Sequence, residues 1–439
     1  MKRFWVVVLV LGLIAAFSTT VFAVDLKFSG EYYTVGMYLD KTSLREGAVD
    51  EGSSTAFYYQ RLRVRTDFVV APGLTLITRF DAMERAWGAS RSEVGKGITP
   101  ATDSAGTVAE NENIAWDWAY VEYKSPIGMC SVGYMNDGST GTIFGNSYSP
   151  KPRIKYSYTI SPVTINLAYT KEKEKSTLSG LAGYADADND KYGIEGVFNW
   201  KNGKAGLNVN YYNYREKRPA TDSYQRTYFL LTPYVIAKIG PVALQAELNY
   251  LTGDQKYESP STKHDVDLQG ISGWVDATAD FKMFYVGGSI AYVSGDDDGT
   301  ADKNEGYSVT GGRDWNPCLI MWNYGRTNWA GALTGYDATA QDTNMTNGWL
   351  LQIRGGIRPV DKLDIMASVT YAKADKPNTV LDRNYGYEAD LTATYKITNN
   401  LSYMLGMGYL FTGGYYKGAG AANSIDDDFL VINKLTLTF

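Results

Sequence analysis

The sequence predicts an all-β protein, a transmembrane antiparallel up-and-down β-barrel of about 18 strands, with 16 to 20 in range. Three observations predict it. A single long apolar run sits at the N-terminus and none follows, so any membrane passage by the remaining chain must use strands. Segment after segment alternates apolar and polar residues at period two, the spacing that sends successive side chains to opposite faces of a strand. The connections alternate between short and long along the whole chain, which gives a barrel one rim of tight turns and one rim of long loops.

The chain opens MKRFWVVVLVLGLIAAFSTTVFA, with Lys2 and Arg3, an apolar run from Phe4 to Phe17, and Val21-Phe22-Ala23 before Val24. These 14 apolar residues fall short of the roughly 20 that a spanning helix needs, and the small-residue ending predicts cleavage after Ala23. Residues 1–23 are expected to be a signal peptide and residues 24–439 a single transmembrane barrel domain. The mean hydropathy of −0.27 suits a barrel, because alternation averages lipid-facing and lumen-facing residues. The 35 Tyr, 10 Trp and 15 Phe are the aromatics that strands and interfacial girdles favour. Loss of Lys2 and Arg3 takes the formal charge from −6 to −8, a balance that argues against nucleic acid as a partner.

Strands are predicted over 26–39, 57–70, 74–86, 114–124, 129–136, 153–160, 163–172, 191–200, 205–214, 227–238, 242–252, 270–280, 284–294, 348–358, 363–373, 385–397, 401–412 and 428–439. Tight connections at 71–73, 125–128, 161–162, 201–204, 239–241, 281–283, 359–362 and 398–400 carry Pro, Gly and Asn, which supply turn geometry. The long ones cover 40–56, 87–113, 137–152, 173–190, 215–226, 253–269, 295–347, 374–384 and 413–427. An even strand number puts both termini on the short-turn, periplasmic rim. The weakest segments are 129–136 and 227–238, the latter interrupted by Pro233, while 295–347 has room for a further hairpin. Lipid-facing sets read clearly elsewhere, as in Ile154, Tyr156, Tyr158 and Ile160, whose alternates are Arg153, Lys155 and Ser157. The final strand sets Phe429, Val431, Leu435 and Leu437 on the face of Phe439, broken at Asn433, an ending of the kind that barrel-assembly machinery reads.

The hairpin over residues 57–85 carries the densest charge. Tyr58, Leu62, Val64, Phe68 and Val70 share one face with Leu74, Leu76, Phe80 and Ala82, while Tyr59, Arg61, Arg63, Arg65 and Asp67 share the other with Thr75, Arg79, Asp81 and Arg85. A charge on the lipid face costs about 2–4 kcal/mol near the midplane, so the charged set is expected to line the lumen. Arg153, Lys155, Arg354 and Arg358 join it, and Glu122, Glu247, Glu388 and Asp390 point inward by the same parity. Two readings stay open. The arginines are fixed cations that favour anions in a narrow channel, or they form a salt-bridged ladder, Arg65 with Asp81 for example, that braces the wall.

A barrel of this size leaves an aqueous channel unless something fills it. The first strand begins just after Val24, which leaves no room for an N-terminal plug, so constriction is expected from loop 87–113, 137–152 or 295–347, with the last two preferred. The longest carries Trp315, Trp322, Tyr324, Arg326 and Trp329. Its alternative is to pack outward over the rim.

The arginine strand, the Ser294-Gly295-Asp296-Asp297 strand ending and the following Trp315-Asn316-Pro317 resemble the alginate-export-like family of porins. That resemblance implies an 18-stranded monomeric barrel whose lumen arginines guide anionic solutes or sugar-acid polymers.

The expected function is an outer-membrane porin, a passive channel for small hydrophilic solutes with its arginines favouring anions. The alternatives are a structural or surface-display barrel with a closed lumen, export of an anionic polysaccharide, and the sheath of an electron-transfer complex, for which the chain has no haem motif. Expected partners are outer-membrane lipid and lipopolysaccharide, the barrel-assembly machinery through Phe439, and solutes, with the barrel a monomer or homotrimer. Asp186, Asp188 and Asp190, and the Asp296-Asp297-Asp298-Gly299 run, lack calcium-loop spacing and read as solvated acidic loops. The sole histidine, His264, lies in a predicted loop with no nucleophile motif, so neither catalysis nor a cofactor is expected. Cys130 beside a turn and Cys318 in a loop on the opposite rim are expected to stay unpaired.

Overall fold

Eighteen strands close into one antiparallel barrel in the computed structural model, which describes residues 24–47, 54–88, 114–138, 141–144, 149–175, 186–218, 220–309, 314–377 and 380–439. They are β1 (Asp25–Leu39), β2 (Thr55–Ala71), β3 (Leu74–Ala86), β4 (Ala115–Ser125), β5 (Gly128–Asn136), β6 (Pro150–Ile160), β7 (Val163–Lys173), β8 (Asn189–Trp200), β9 (Gly203–Tyr214), β10 (Tyr224–Ile239), β11 (Val242–Tyr257), β12 (Val266–Asp280), β13 (Phe284–Val293), β14 (Gly348–Val360), β15 (Leu363–Ala374), β16 (Asn384–Lys396), β17 (Leu401–Thr412) and β18 (Asp428–Thr438). Each pairs with its sequence neighbour, and β1 pairs with β18 from Glu31↔Thr438 to Leu39↔Leu430, so no edge strand remains. Both weak segments form strands, and Pro233 sits within β10. The leader 1–23 and residues 89–113 lie outside the described residues.

The long stretch 295–347 adds no spanning hairpin. It holds helix α1 (Tyr324–Ala330) and five two-residue strands, of which Lys303–Asn304 attaches to the rim of β12 in parallel and the others pair among themselves.

Period-two alternation produces the outer surface. On β7, Val163, Ile165 and Leu167 are exposed while Thr170 is buried; on β17, Leu405, Met407 and Phe411 are exposed while Leu410 is buried. Tyr192, Tyr211 and Phe229 follow one another across the outer ends of β8 to β10 at centroid spacings of 6.5 and 5.0 Å, part of an aromatic girdle. No helix among the described residues is long and apolar enough to cross a membrane. A closed barrel of 18 strands wearing an apolar outer band belongs in the bacterial outer membrane.

The inner surface departs from the expected polar lining along one side. Val35, Met37 and Leu39 of β1, Leu350 of β14, Ala372 and Ala374 of β15, Leu410 of β17, and Leu430 and Ile432 of β18 face inward and are buried. They pack against Leu44, Ile320, Met321, Trp322, Leu333 and Met345 from the extracellular loops. Each fully buried Leu or Ile stabilises the loop on the wall by about 1.5–3 kcal/mol. The barrel thus has a core inside it.

Candidate functional site: the narrowed lumen

Two loops fold into the barrel and meet. Glu388 of β16 accepts the backbone N–H of Ile320 at 2.6 Å and of Met321 at 2.7 Å, and Gln352 of β14 donates its amide to the Pro317 carbonyl. Helix α1 is capped by Asn323, whose side chain accepts from Arg326 N–H, and it lays Trp329 on Tyr59 of β2 at 4.5 Å between ring centroids. From the other loop, Thr142 donates both N–H and hydroxyl to Glu247 of β11 at 2.8 Å each. Gly141 precedes it at φ +83°, where a Cβ would lie 2.4 Å from the Glu247 carboxylate, so glycine is needed there. Phe144 then sits between Trp274 of β12 and Trp315 of the long loop. Both preferred constriction loops turn inward, and the outward-packed alternative for 295–347 is corrected: the inward apolar wall strips supply the partner surface that draws it in.

The anchor at Glu388 includes the one group of potential metal ligands among the described residues, Cys318, Glu388 and Asp390, with ligand atoms within 4.8 Å of one another. Burial, with the nearby carboxyls adding to it, pushes the Cys318 thiol well above its ordinary range and keeps it protonated. Both Glu388 oxygens are occupied by backbone N–H groups, so this set works as a loop anchor. Glu388 and Asp390, expected to moderate the lumen charge, are covered by the loop and buried. Cys130 and Cys318 are unpaired.

The arginine wall forms on β2 to β4 as a ladder. Arg63 lies opposite Asp81 and grips it with Nε and Nη2, both at 2.6 Å, while Arg61 reaches Glu31 at 3.2 Å and Asp81 at 3.9 Å. Arg65 lies opposite Arg79, a repulsive pair, and each turns aside: Arg65 to Asp67 at 2.7 Å, Arg79 to Asp117 at 3.2 Å with its guanidinium 3.7 Å from the centre of the Trp118 ring. The expected Arg65–Asp81 bridge is therefore replaced by Arg63–Asp81. Asp117 reaches these cations where the β3–β4 register slips between Arg79 and Phe80. Glu122 lies opposite Thr75 on the inward set.

Arg85 does not line the lumen. Between Leu62 and Gln60 of β2, β3 holds an extra residue, with Met83 at φ 54°, and the bulge reverses parity beyond it. Arg85 then pairs with Gln60 on the outward set, and Ala86 pairs with Tyr59 inside.

Further round the same wall, Arg153 of β6 binds Asp137 at 3.0 Å, and Lys191 of β8 binds the same carboxylate. Lys155 lies beside them. Arg354 of β14 binds Asp276 at 2.8 Å, and Arg358 binds Asp280 and Asp364 near the periplasmic turns. Between the loops and β8 to β11 lies a cavity of about 310 Å³, adjoining one of about 170 Å³; Asp137, Lys191, Asn208 and Asn210 line both. Sequence parity named Arg153 and Lys155 but passed over Asn208, Asn210, Tyr212 and Tyr214, although LNVNYYNY spells this inward set at every second position.

A scan against protein-family models finds no match, and neither does a search of curated proteins. The resemblance to alginate-export-like porins therefore rests on its short motifs. Among solved structures, the chain is similar to OccK2 (OpdF) of Pseudomonas aeruginosa in complex with glucuronate, at 12% identity and a TM-score of 0.50 over 94% of this chain and 97% of that one. It is equally similar to OpdK of the same organism with vanillate, at 12% identity and a TM-score of 0.50 over 94% and 99%. OccK11 (OpdR) of that organism is matched at 13% identity and a TM-score of 0.49 over 94% and 96%. These likenesses are of fold.

Proposed function

We propose that the barrel is a passive outer-membrane channel for small hydrophilic solutes, entered past the inward loops and lined by Arg61, Arg63, Arg65, Arg79, Asp81, Glu122, Arg153, Lys155, Arg354 and Arg358. One observation carries it. The loops bury most of their apolar side chains against one apolar side of the inner wall, while β6 to β11 keep charged and amide groups around open cavities and β2 to β4 carry the arginine ladder. A lumen filled for purely structural reasons has no use for that polar lining, since each buried charge costs desolvation energy.

The arginines favour anions only weakly in this reading. Arg61, Arg63, Arg65 and Arg79 each have a carboxylate within 3.2 Å, drawn from Glu31, Asp81, Asp67 and Asp117. Paired charges give a field across the lumen more than a net potential along it. Residues 1–23 are removed on export, and the barrel-assembly machinery takes up the last strand ending at Phe439.

The test is the conductance and reversal potential of purified, refolded protein in a planar bilayer under a KCl gradient. Discrete conductance steps with modest ion selectivity are expected. Folded, inserted protein that passes no current would overturn the channel and leave the closed-lumen barrel.

A further inference from the structure

We infer that the constriction holds a binding site for uncharged, hydroxyl-rich solutes, of the size of a single sugar ring or two, centred on Asn208 and Asn210. The inference rests on the channel reading for its role and on the geometry of the cavity for its chemistry. Asn208 and Asn210 stand two apart on β9, facing the lumen, and each is only 8% exposed. Neither side-chain amide hydrogen-bonds to the protein among the described residues, although polar groups surround them. Their neighbours are occupied elsewhere. Glu195, across from Asn208 on β8, accepts from Asn166 and from Tyr234 at 2.8 Å each. Thr232, across from it on β10, bonds Asn249 at 2.7 Å. Opposite Asn210 on β8 stands Gly193, where a Cβ would lie 2.6 Å from the Asn210 amide oxygen, so the wall is cut back where the amide projects.

The amides open onto the two cavities with no protein partner among the described residues, so their donors and acceptors are free for whatever occupies the lumen. An amide offers donors and an acceptor together, as a hydroxyl does, so two amides in a row match vicinal hydroxyls of a sugar ring. The charges nearby give an anion no advantage. Arg153, Lys155 and Lys191 face the four carboxylates of Asp137, Glu172, Glu195 and Glu247 around the two cavities. The ring pair Tyr212 and Tyr228, stacked at 4.4 Å, adds an aromatic surface of the kind that packs on the C–H face of a pyranose. The larger cavity, about 310 Å³, is at the small end for ligand pockets.

Saturation-transfer NMR on the refolded barrel in deuterated detergent tests this, with D-glucose and D-glucuronate as the solutes and the double variant N208A/N210A beside the parent. Transfer to glucose at least equal to that for glucuronate is expected, and the variant, still heat-modifiable on a gel as a folded barrel is, should bind glucose about tenfold more weakly. No transfer to glucose, equal transfer in parent and variant, or strong preference for glucuronate would each overturn the site. Bilayer conductance on the same samples separates the two readings: current without glucose contact leaves the channel and removes the site, and glucose contact without current does the reverse.

Discussion

Phe144 and Trp315 meet edge to face at 5.0 Å between ring centroids, and they belong to two different extracellular loops. Phe144 is fully buried, with Trp274 of the barrel wall stacked on its other side at 5.8 Å. This contact is where the loops lock the constriction.

Phe144→Ala is expected to release it. Removing a buried Phe costs about 3–5 kcal/mol, here taken from loop packing, because the strand ladder does not involve the ring. Single-channel conductance should rise and grow noisier while heat-modifiability persists. Trp315→Ala should act in the same direction, and the double variant should cost less than the two combined, since either alone breaks the shared contact. Strict additivity in the thermal shifts would show that the rings do not couple.

Glu388 fastens the long loop from below. Its two oxygens take the N–H groups of Ile320 and Met321 inside a fully buried site, so Glu388→Ala leaves two buried donors without acceptors, at about 1–3 kcal/mol each. Limited proteolysis in detergent micelles checks it: cleavage within 314–330 should appear in the variant under conditions that leave the parent intact, with the barrel band retained. Glu388→Gln, which keeps one carbonyl acceptor, should fall between them. Equal resistance in all three would remove Glu388 as the anchor.

The strands were legible because lipid on one side and water on the other impose period two on the crossings, and β7 and β17 carry that pattern without help from the rest of the chain. What parity could not carry was a change of parity. The bulge at Met83 turned Arg85 outward, and the slip between Arg79 and Phe80 brought Asp117 to the cations. The inner apolar strip was missed because the expected lumen was water, yet it has a signature: alternation fails where both faces are apolar, as in Met37-Tyr38-Leu39, Leu350-Leu351 and Leu430-Val431. On these three strands the doublets coincide with the loop packed inside.

The Arg63–Asp81 grip makes a prediction about selectivity. Both side chains are at most 15% exposed, and Asp81 also lies within 3.9 Å of Arg61. Asp81→Asn strips the carboxylate from two guanidinium groups and should shift the reversal potential toward anions, whereas Arg63→Ala should shift it toward cations. Breaking one partner of a buried pair costs about 3–5 kcal/mol, so lower thermal stability should accompany both changes. A shift of the same sign in both variants would mean that these residues act on conductance only through the fold.

At the extracellular rim, Arg218 holds Glu258 with Nε at 2.8 Å from each carboxylate oxygen, while Ser223 donates at 3.2 Å. The hydrogen-bonded guanidinium keeps the Glu258 carboxyl below its ordinary value of 4.5, with burial opposing it more weakly and the charges of Arg218 and Arg215 adding to the lowering. A carboxyl whose folded value is depressed contributes stability that is fully present above the unfolded value and is lost as pH falls through the folded one. The tie between the loops after β9 and after β11 should therefore be complete at pH 7 and weaken below about pH 4.5. The pair is partly solvent-exposed, so its contribution is about 0.2–1 kcal/mol, a change in loop opening of at most about fivefold. Hydrogen exchange of the 215–223 amides should speed up between pH 7 and pH 3, after correction for intrinsic rates, and Glu258→Gln should show the faster opening already at pH 7. Exchange in the parent that follows the intrinsic rates throughout this range would show that the pair does not tie the loops.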